Sequence, residues 1–434
     1  MIVAISGLEV APMLFPLMLS QANAFCGYYA GEAGANLYNQ LSQIAMVRQD
    51  GRTTLTLAND VAGDATAFAL IIPVPEVLSE DDVRIADPGL FTMLDAYSAP
   101  RLVEYTCESL YGDVMMSADS SGGGGGSVPP TEPVPQTESS VSVEAEFAVG
   151  EYEIVVLSVE QTEDSESDDL LTWLADNDYA IGDDAAALLG EYIDSGSYFI
   201  AAKVRLEMLP GDGVTLSPLQ FSYDSPVFSL PIRLGTLNST GAQDLILYTL
   251  TPAEDGAVAV ANYPEAEIED ECLWDGDDFS AFYPEAFADA IDDAGGSAWT
   301  QEYSWSPYKC DPCVGEPPTE AEIAALGFMG PLKDAHFTRL HLRYDHTVTA
   351  DLSLYSTRIT DWDQVRFVRW TAEIESLYPV CGAGWVEDPG ECPEGYSWGG
   401  DERWWDGGCS TAGGGGWLVV FWGMVGVWWR RVEG

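Results

Sequence analysis

The stretch SQIAMVRQDGRTTLTLAN, residues 42–59, decides how the fold begins. Apolar side chains occupy every second position on each side of Asp50-Gly51, as expected for two strands that each bury one face. An Asp-Gly pair accepts the positive φ angles that a two-residue hairpin turn requires. The stretch therefore predicts a β-hairpin. Its alternating apolar side chains are Ile44, Met46, Leu55 and Leu57.

A run that is apolar on both faces follows the hairpin. Residues 68–72 read FALII, and the run stops at Pro73-Val74-Pro75. A strand without polar alternation is typical of the centre of a sheet, and prolines end a strand because they cannot donate ladder hydrogen bonds. We therefore expect a central strand, and a sheet that begins in this part of the chain.

The remaining pattern alternates groups of strands with single helices, which indicates an α+β fold with largely antiparallel sheets. A helix is predicted between Asp87 and Pro100, and another at 319–326, where Thr319 and Glu322 have the spacing of a capping box. The other predicted helices are residues 168–176, 183–193 and 279–291. The other predicted strands are residues 143–147, 152–159, 198–208, 219–223, 227–232, 245–250, 258–261, 337–344, 352–356 and 365–372.

The charge balance excludes one class of partner. The 434 residues include 71 Asp and Glu against 17 Lys and Arg, which gives a net charge of −54. Such a chain repels phosphate backbones, so nucleic acid is not expected as a partner. The excess of acidic residues indicates either a solvated surface in salty water or oxygen ligands for Ca²⁺. The stretch nearest to a calcium loop contains Asp275, Asp277 and Asp278, and it lacks the alternation of such loops.

The N-terminus has the pattern of an export signal. An apolar stretch at residues 11–19 is followed by Ala22-Asn23-Ala24, which places small residues where signal peptidase needs them. The sequence predicts a signal peptide at residues 1–24, with cleavage between Ala24 and Phe25.

The rest of the chain divides by composition. Residues 117–140, rich in Gly, Ser and Pro, have little to bury and predict a flexible, disordered insert. The insert lies between a β-rich part, residues 25–116, and an α+β part, residues 141–380, and it either separates domains or lengthens a loop. Residues 381–412 read as a Gly, Trp and Cys spacer, and residues 413–434 as a transmembrane or sorting tail.

The cysteines favour structural disulfides, the default in an exported protein. Cys310 and Cys313 form a Cys-x-x-Cys pair, but Pro317 and Pro318 follow closely, which disfavours the helix that a redox pair requires. Zinc binding with other recruited ligands stays an alternative for this pair. The candidates for disulfides are Cys26, Cys107, Cys272, Cys310, Cys313, Cys381 and Cys392, of which the last two are close enough in sequence to pair with each other.

No catalytic signature is present in the sequence. It contains no metalloprotease helix motif, no nucleophile elbow and no phosphate loop. The three histidines are spaced five residues apart, and a five-residue step along a strand reverses the face, so one strand cannot bring them together. We interpret His341 as a strand residue with a hydrogen-bonded ring rather than a catalytic base. The histidines are His336, His341 and His346.

Several motifs resemble an exported bacterial family known as domain of unknown function 2330. The resemblance covers about residues 25–372 and offers no catalytic residue to transfer. It implies export and one shared fold, in which residues 25–116 and 141–380 are two parts of one composite domain. The motifs that carry the resemblance are FCGYY at 25–29, AND at 58–60, IPVP at 72–75, DAYSAPRL at 95–102, residues 231–237, YKCDPC at 308–313 and TRLHLRY at 338–344.

The C-terminus resembles the sorting signals of myxobacterial surface proteins. Cys409 precedes a glycine stretch, residues 417–429 carry no polar side chain, and Arg430-Arg431 follow. The resemblance implies that the chain is cut and anchored near Cys409. The alternative is a plain membrane anchor, although thirteen residues span only about 20 Å of a hydrocarbon core of about 30 Å. In both cases the arginines indicate a cytoplasmic end.

These features together predict an exported protein of the cell envelope or surface, bound to the membrane through its C-terminal tail. The sequence favours a binding or structural module over an enzyme, and it predicts no cofactor. One alternative is an envelope enzyme whose acid or metal chemistry is not visible as a motif. Another is a surface domain stabilised by Ca²⁺.

Overall fold

The computed structural model describes most of the chain between Ala22 and Trp398. The described residues are 22–23, 28–31, 37–63, 67–103, 107–109, 141–159, 166–177, 182–205, 214–239, 241–268, 273–274, 278–309, 311, 317–361, 363–370 and 396–398.

Strands dominate these residues. In chain order they are β1 (Ala22–Asn23), β2 (Tyr28–Gly31), β3 (Leu37–Gln49), β4 (Arg52–Gly63), β5 (Ala67–Val74), β6 (Val83–Ile85), β7 (Arg101–Val103), β8 (Cys107–Ser109), β9 (Val141–Val149), β10 (Tyr152–Val159), β11 (Tyr198–Arg205), β12 (Val214–Thr215), β13 (Leu219–Asp224), β14 (Ser229–Leu230), β15 (Gln243–Pro252), β16 (Val258–Val260), β17 (Leu273–Trp274), β18 (Ala298–Trp305), β19 (Ala335–Tyr344), β20 (Leu352–Ser356), β21 (Asp363–Gln364), β22 (Arg366–Trp370) and β23 (Tyr396–Trp398).

Helices are fewer and mostly short. They are α1 (Gly89–Ser98), α2 (Glu166–Asp176), α3 (Asp183–Asp194), α4 (Arg233–Thr236), α5 (Phe279–Asp293) and α6 (Glu320–Ala325), with 3₁₀ turns at Glu80–Asp82 and Leu332–Asp334. The predicted capping box forms at the start of α6, where Thr319 and Glu322 bond each other's backbone N–H.

Two large sheets contain most of the strands. The larger has the order β21-β18-β19-β15-β3-β4-β13-β6, with β1 beside β15 and β12 beside β4. The smaller has the order β2-β5-β11-β10-β9 and is antiparallel throughout. In the larger sheet, β3 runs parallel to β15 while most of the other neighbours are antiparallel. The α+β class predicted from the sequence is confirmed.

The predicted hairpin forms as β3 and β4. Gln49 lies opposite Arg52, so Asp50 and Gly51 make the two-residue turn. Both have positive φ, 53° and 84°, as a hairpin turn of the mirror-image type requires. The hairpin's apolar residues face the smaller sheet across the main core.

The run at residues 68–72 forms β5, a central strand as predicted, but in the smaller sheet rather than beside the hairpin. Both its faces are covered, which explains the absence of polar alternation. Phe68, Leu70 and Ile72 pack between the two sheets. Ala69 and Ile71 face the opposite way, against a cluster that includes residues of α2 and α3.

The core is therefore layered. Two sheets pack face to face, α2 and α3 cover the outer side of the smaller sheet, and α1 and α6 cover the outer side of the larger sheet. Helix α5 packs on that same outer side through a small separate cluster around Phe287 and Ile291. Strands that precede residue 117 pair with strands that follow residue 140 in both large sheets.

Two of the differences from the sequence-based prediction concern β18 and β14. The strand β18 was not predicted, although it is almost wholly buried. The predicted strand at 227–232 is wrong in extent, because only Ser229–Leu230 is a strand and Arg233 begins α4. The predicted strand at 198–208 corresponds to β11 (Tyr198–Arg205), and residues 206–208 lie outside the described parts.

Several predictions concern residues outside the described parts. These include the cleavage site at Ala24 and Phe25, the insert at 117–140 and the tail at 413–434. Within the described ranges, no helix is long and apolar enough to cross a membrane.

Candidate functional site

A buried network of charged and polar side chains lies on the outer face of the larger sheet. Three of its members, Glu302, Arg339 and His341, come from the neighbouring strands β18 and β19. The side chains that complete the network are Asp95 of α1, Tyr248 of β15 and Tyr283 of α5.

A bulge in β18 places Glu302 and Tyr303 together on this face. The register with β19 shifts between Gln301 and Tyr303, so Glu302 has no residue of its own opposite it. Before the shift, Trp299 packs in the core between the sheets, and after it Tyr303 packs in the outer cluster. By alternation from Thr300, which lies opposite His341, Glu302 faces the outer side, and the extra residue turns Tyr303 to that side as well.

Glu302 is saturated with donors. Its side chain is 0% exposed, and its Oε1 accepts a hydrogen bond from Tyr283 and lies 2.7 Å from Nδ1 of His341. Its Oε2 lies 2.5 Å from Nε of Arg339. Burial raises the pKa of Glu302, but the charges of His341 and Arg339 and the hydrogen bonds from His341 and Tyr283 lower it to about 2. Glu302 is therefore ionised near neutral pH.

Arg339 connects the sheet to α1. Its side chain is 6% exposed, and its Nη1 donates to Asp95 at 2.7 Å and to the hydroxyl of Tyr248 at 3.4 Å. Burial opposes its charge, but Glu302, Tyr248 and Asp95 together raise its pKa above the ordinary value. The guanidinium thus lies between one buried and one half-exposed carboxylate.

His341 connects the same network to α5. Its ring stacks on the ring of Phe287, with centroids 3.7 Å apart and an angle of 8° between the planes. Because side chains alternate along a strand, Arg343 lies on the same face of β19 as His341. The guanidinium of Arg343 lies 4.9 Å from the centre of the Phe287 ring and pairs with both carboxylate oxygens of Asp244, at 2.6 and 2.7 Å.

A second buried polar pair lies beside the network. The hydroxyl of Tyr303 donates to Asp311 at 2.9 Å, and Asp311 stands between the two cysteines of the Cys-x-x-Cys motif. Burial, with the neighbouring Tyr97 and Asp311, raises the pKa of Tyr303. The ring of Tyr97 packs edge-on against that of Tyr303 at 5.1 Å. Residues of the motifs at 95–102, 308–313 and 338–344 therefore meet in one region of the sheet.

A serine and a histidine pair on the other face of β19. Oγ of Ser304 lies 2.9 Å from Nε2 of His336, and burial lowers the pKa of His336 to about 4. A serine beside a histidine can act as a nucleophile. Here both side chains are almost completely buried, 1% and 2% exposed, so the pair has no path to a substrate in this conformation.

The residues singled out in the sequence are only partly placed by the structure. Asp278 accepts hydrogen bonds from the backbone N–H and the hydroxyl of Ser280, and so caps α5. Cys107 lies in β8. Among the described residues, no three His, Cys, Asp or Glu side chains are grouped to hold a metal ion. The candidates outside the described residues are Asp275, Asp277, Cys26, Cys272, Cys310, Cys313, Cys381, Cys392, Cys409, Arg430 and Arg431.

The sequence-based analysis missed Glu302 and Arg339. One signal was available for the strand that carries Glu302, because aromatic residues recur at Trp299, Tyr303 and Trp305 with polar residues between them. No signal in the sequence marks Glu302 among the 71 acidic residues, since its partners come from β19 and α5 and meet it only in the fold. The interpretation of His341 as a strand residue with a hydrogen-bonded ring is confirmed.

The fold and the site define a layered α+β protein whose buried ionic network joins its longest sheet to two helices. The chain belongs to a bacterial family, described as an uncharacterized protein conserved in bacteria (DUF2330), whose model matches residues 20–355. That match confirms the resemblance drawn from the motifs. Neither the curated proteins nor the solved structures contain a match to this chain.

Proposed function

We propose that this protein is an exported module of the bacterial cell envelope, anchored through its C-terminus, that acts by binding or by building surface structure rather than by catalysis. The signal-like N-terminus supports export, and the apolar run at 417–429 followed by Arg430-Arg431 supports anchoring. The cysteine usage supports an oxidising compartment.

The observation that supports a non-catalytic role is that the side chains of the Glu302 network are bonded to one another. Both oxygens of Glu302 and the guanidinium of Arg339 are engaged with other side chains of the protein. A general base needs a free lone pair and a pKa near the working pH, whereas Glu302 has three partners and a pKa of about 2. An arrangement of this kind joins elements of structure, here the sheet, α1 and α5.

The experiment that tests anchoring is the intact mass of the mature protein extracted from its own envelopes, before and after thiol labelling under denaturing conditions. A mass that begins at Phe25 and ends near Cys409 with added lipid supports a sorted surface protein. A mass that runs through Gly434 supports a membrane tail instead. A protein recovered only from the cytoplasm with residues 1–24 attached contradicts the proposal.

One observation favours a second candidate, an envelope enzyme. The Nδ1 of His341 faces a buried carboxylate, as in histidines that act as bases, and the imidazole is 13% exposed. A hydrolase screen of the full chain tests this candidate, with His341→Gln compared against His336→Gln. Turnover that only His341→Gln abolishes supports the enzyme, while unchanged turnover or none in the wild type leaves the binding module as the conclusion.

A further inference from the structure

The backbone of Arg358 has a conformation that arginine rarely adopts. Its φ is 61°, and the only other described non-glycine residue with positive φ is Asp50, which the hairpin turn explains. Positive φ is costly for side chains other than Gly, Asn and Asp, and such strain persists where the surroundings enforce it. The conformation of this turn does not require arginine at position 358, so the arginine needs another explanation.

The surroundings hold this loop firmly. Backbone hydrogen bonds of 2.8 Å run from Thr357 to Ala257, from Arg358 to Asp255, and from Ala257 to Ile359. Gly256 has a φ of 67°, and a Cβ there would collide with the backbone of Ile359. The backbone of this loop is therefore held in one conformation against its neighbour.

The guanidinium of Arg358 has no partner among the described residues, and it is exposed. Every other arginine whose side chain the structure describes donates to an oxygen of the protein. Those arginines are Arg48, Arg52, Arg84, Arg101, Arg233, Arg339 and Arg343. In a chain with a net charge of −54, Arg358 is thus a cation directed outward from a rigid loop.

Two exposed apolar residues flank this cation in sequence. Tyr355 is 48% exposed and Ile359 is 56% exposed, although other large apolar side chains of the neighbouring strands are buried. Tyrosine and arginine are the residue types that dominate binding energy at protein interfaces, and a preformed loop lowers the entropic cost of binding.

We propose that Tyr355, Arg358 and Ile359 form a docking surface for a protein segment that presents a carboxylate beside an apolar side chain. The guanidinium fits the carboxylate with two parallel hydrogen bonds, and the flanking side chains cover the apolar neighbour. The docking surface rests on the binding role proposed above, and it identifies the class of partner that the protein would bind. The apolar flanks favour a protein over a lipid headgroup or an acidic polysaccharide, which would need cations alone.

The test is selection from a random-peptide display library on the full chain, followed by affinity measurements on variants. The expected peptides contain Asp or Glu next to an apolar residue, and their affinity falls by about 30-fold in Arg358→Gly and in Tyr355→Ala. Arg52→Ala is the matched control, because it also removes one exposed positive charge but from a residue paired with Asp82 and Asp224. Its affinity should equal that of the wild type.

Arg358→Gly also separates binding from stability. Glycine relieves the positive φ, so the Tm of this variant should equal or exceed that of the wild type while binding is lost. A lower Tm would make Arg358 a structural residue and overturn the proposal. Peptides without acidic residues, equal affinity for Arg358→Gly, or an equal loss in Arg52→Ala would also overturn it.

Binding of the wild type to phosphatidylglycerol vesicles that Arg358→Gly abolishes would reassign the surface to lipid and overturn the protein partner. These measurements use purified protein, so their failure leaves the envelope location to be judged by the intact mass alone.

Discussion

Replacement of Glu302 by alanine is the most informative perturbation of this protein. It removes one carboxylate that is 0% exposed and that bonds Tyr283, Arg339 and His341. Arg339, 6% exposed, then keeps a full charge with only the half-exposed Asp95 to balance it. Removal of one partner of a buried ion pair typically costs about 3–5 kcal/mol, and we expect a loss of that size in the free energy of unfolding.

The assay is urea unfolding of the full chain, followed by tryptophan fluorescence. The matched control is Asp224→Ala, which breaks the pair with Arg52 where the side chains are 70% and 46% exposed. Because solvent screens that pair, its loss should cost only about 1 kcal/mol. If Glu302→Ala costs no more than the control, the network does not hold the sheet to α1 and α5 and the reasoning fails.

The pH dependence gives an independent measure of the same network. The pKa of Glu302 is about 2 in the folded protein against an ordinary value of 4.5, so the unfolded chain binds the proton more readily. The resulting stabilisation, about 3 kcal/mol, is complete above pH 4.5 and is lost as the pH falls toward 2. Glu302→Gln should flatten this part of the profile, and an unchanged slope would contradict the assignment.

Three further predictions use the same unfolding assay. Burial lowers the pKa of His336 from 6.5 to about 4, so up to about 3 kcal/mol of stability should be lost as the pH falls from 6.5 to 4. His336→Gln should remove this pH dependence, and a pH dependence that survives in the variant would refute the prediction. Gly256→Ala should cost about 2–3 kcal/mol because of positive φ and the collision with Ile359, and a neutral effect would mean that the loops can separate. Asp351→Ala should cost about 2–3 kcal/mol, since its carboxylate accepts from Tyr192 and two backbone N–H groups, while a cost below 1 kcal/mol would show that water replaces it.

Local patterns predicted most of the elements. The Asp-Gly turn and its alternating flanks gave the hairpin, and the helical spacing before Pro100 gave α1, whose first N–H bonds Asp87. Turn chemistry and helical periodicity depend on residues close together in the chain, so both can be recognised in the sequence alone. The strand β18 was not predicted, because its polar residues resemble those of an exposed segment, whereas in the fold α5 covers them.

The arrangement of the elements could not be predicted in the same way. The apolar run at 68–72 indicated a buried strand, but nothing local assigned it to the sheet that faces the hairpin. Strand β3 pairs with β15, about 200 residues away, and β5 pairs with β11 across the insert. Pairings between strands so far apart depend on how much apolar surface both sheets bury together, and a short stretch of sequence does not show this.

By itself the sequence determined the α+β class, the hairpin, the capped helices and the strongly acidic character, because propensity, periodicity and charge are properties of neighbouring residues. Only the tertiary structure decided the site. Asp95, Tyr283, Glu302 and Arg339 come from four separate elements, and only the packing of α1 and α5 on the outer face of the larger sheet brings them together. A buried charge is stable only where its partners converge, and that convergence is a property of the packed sheet and helices rather than of any one segment.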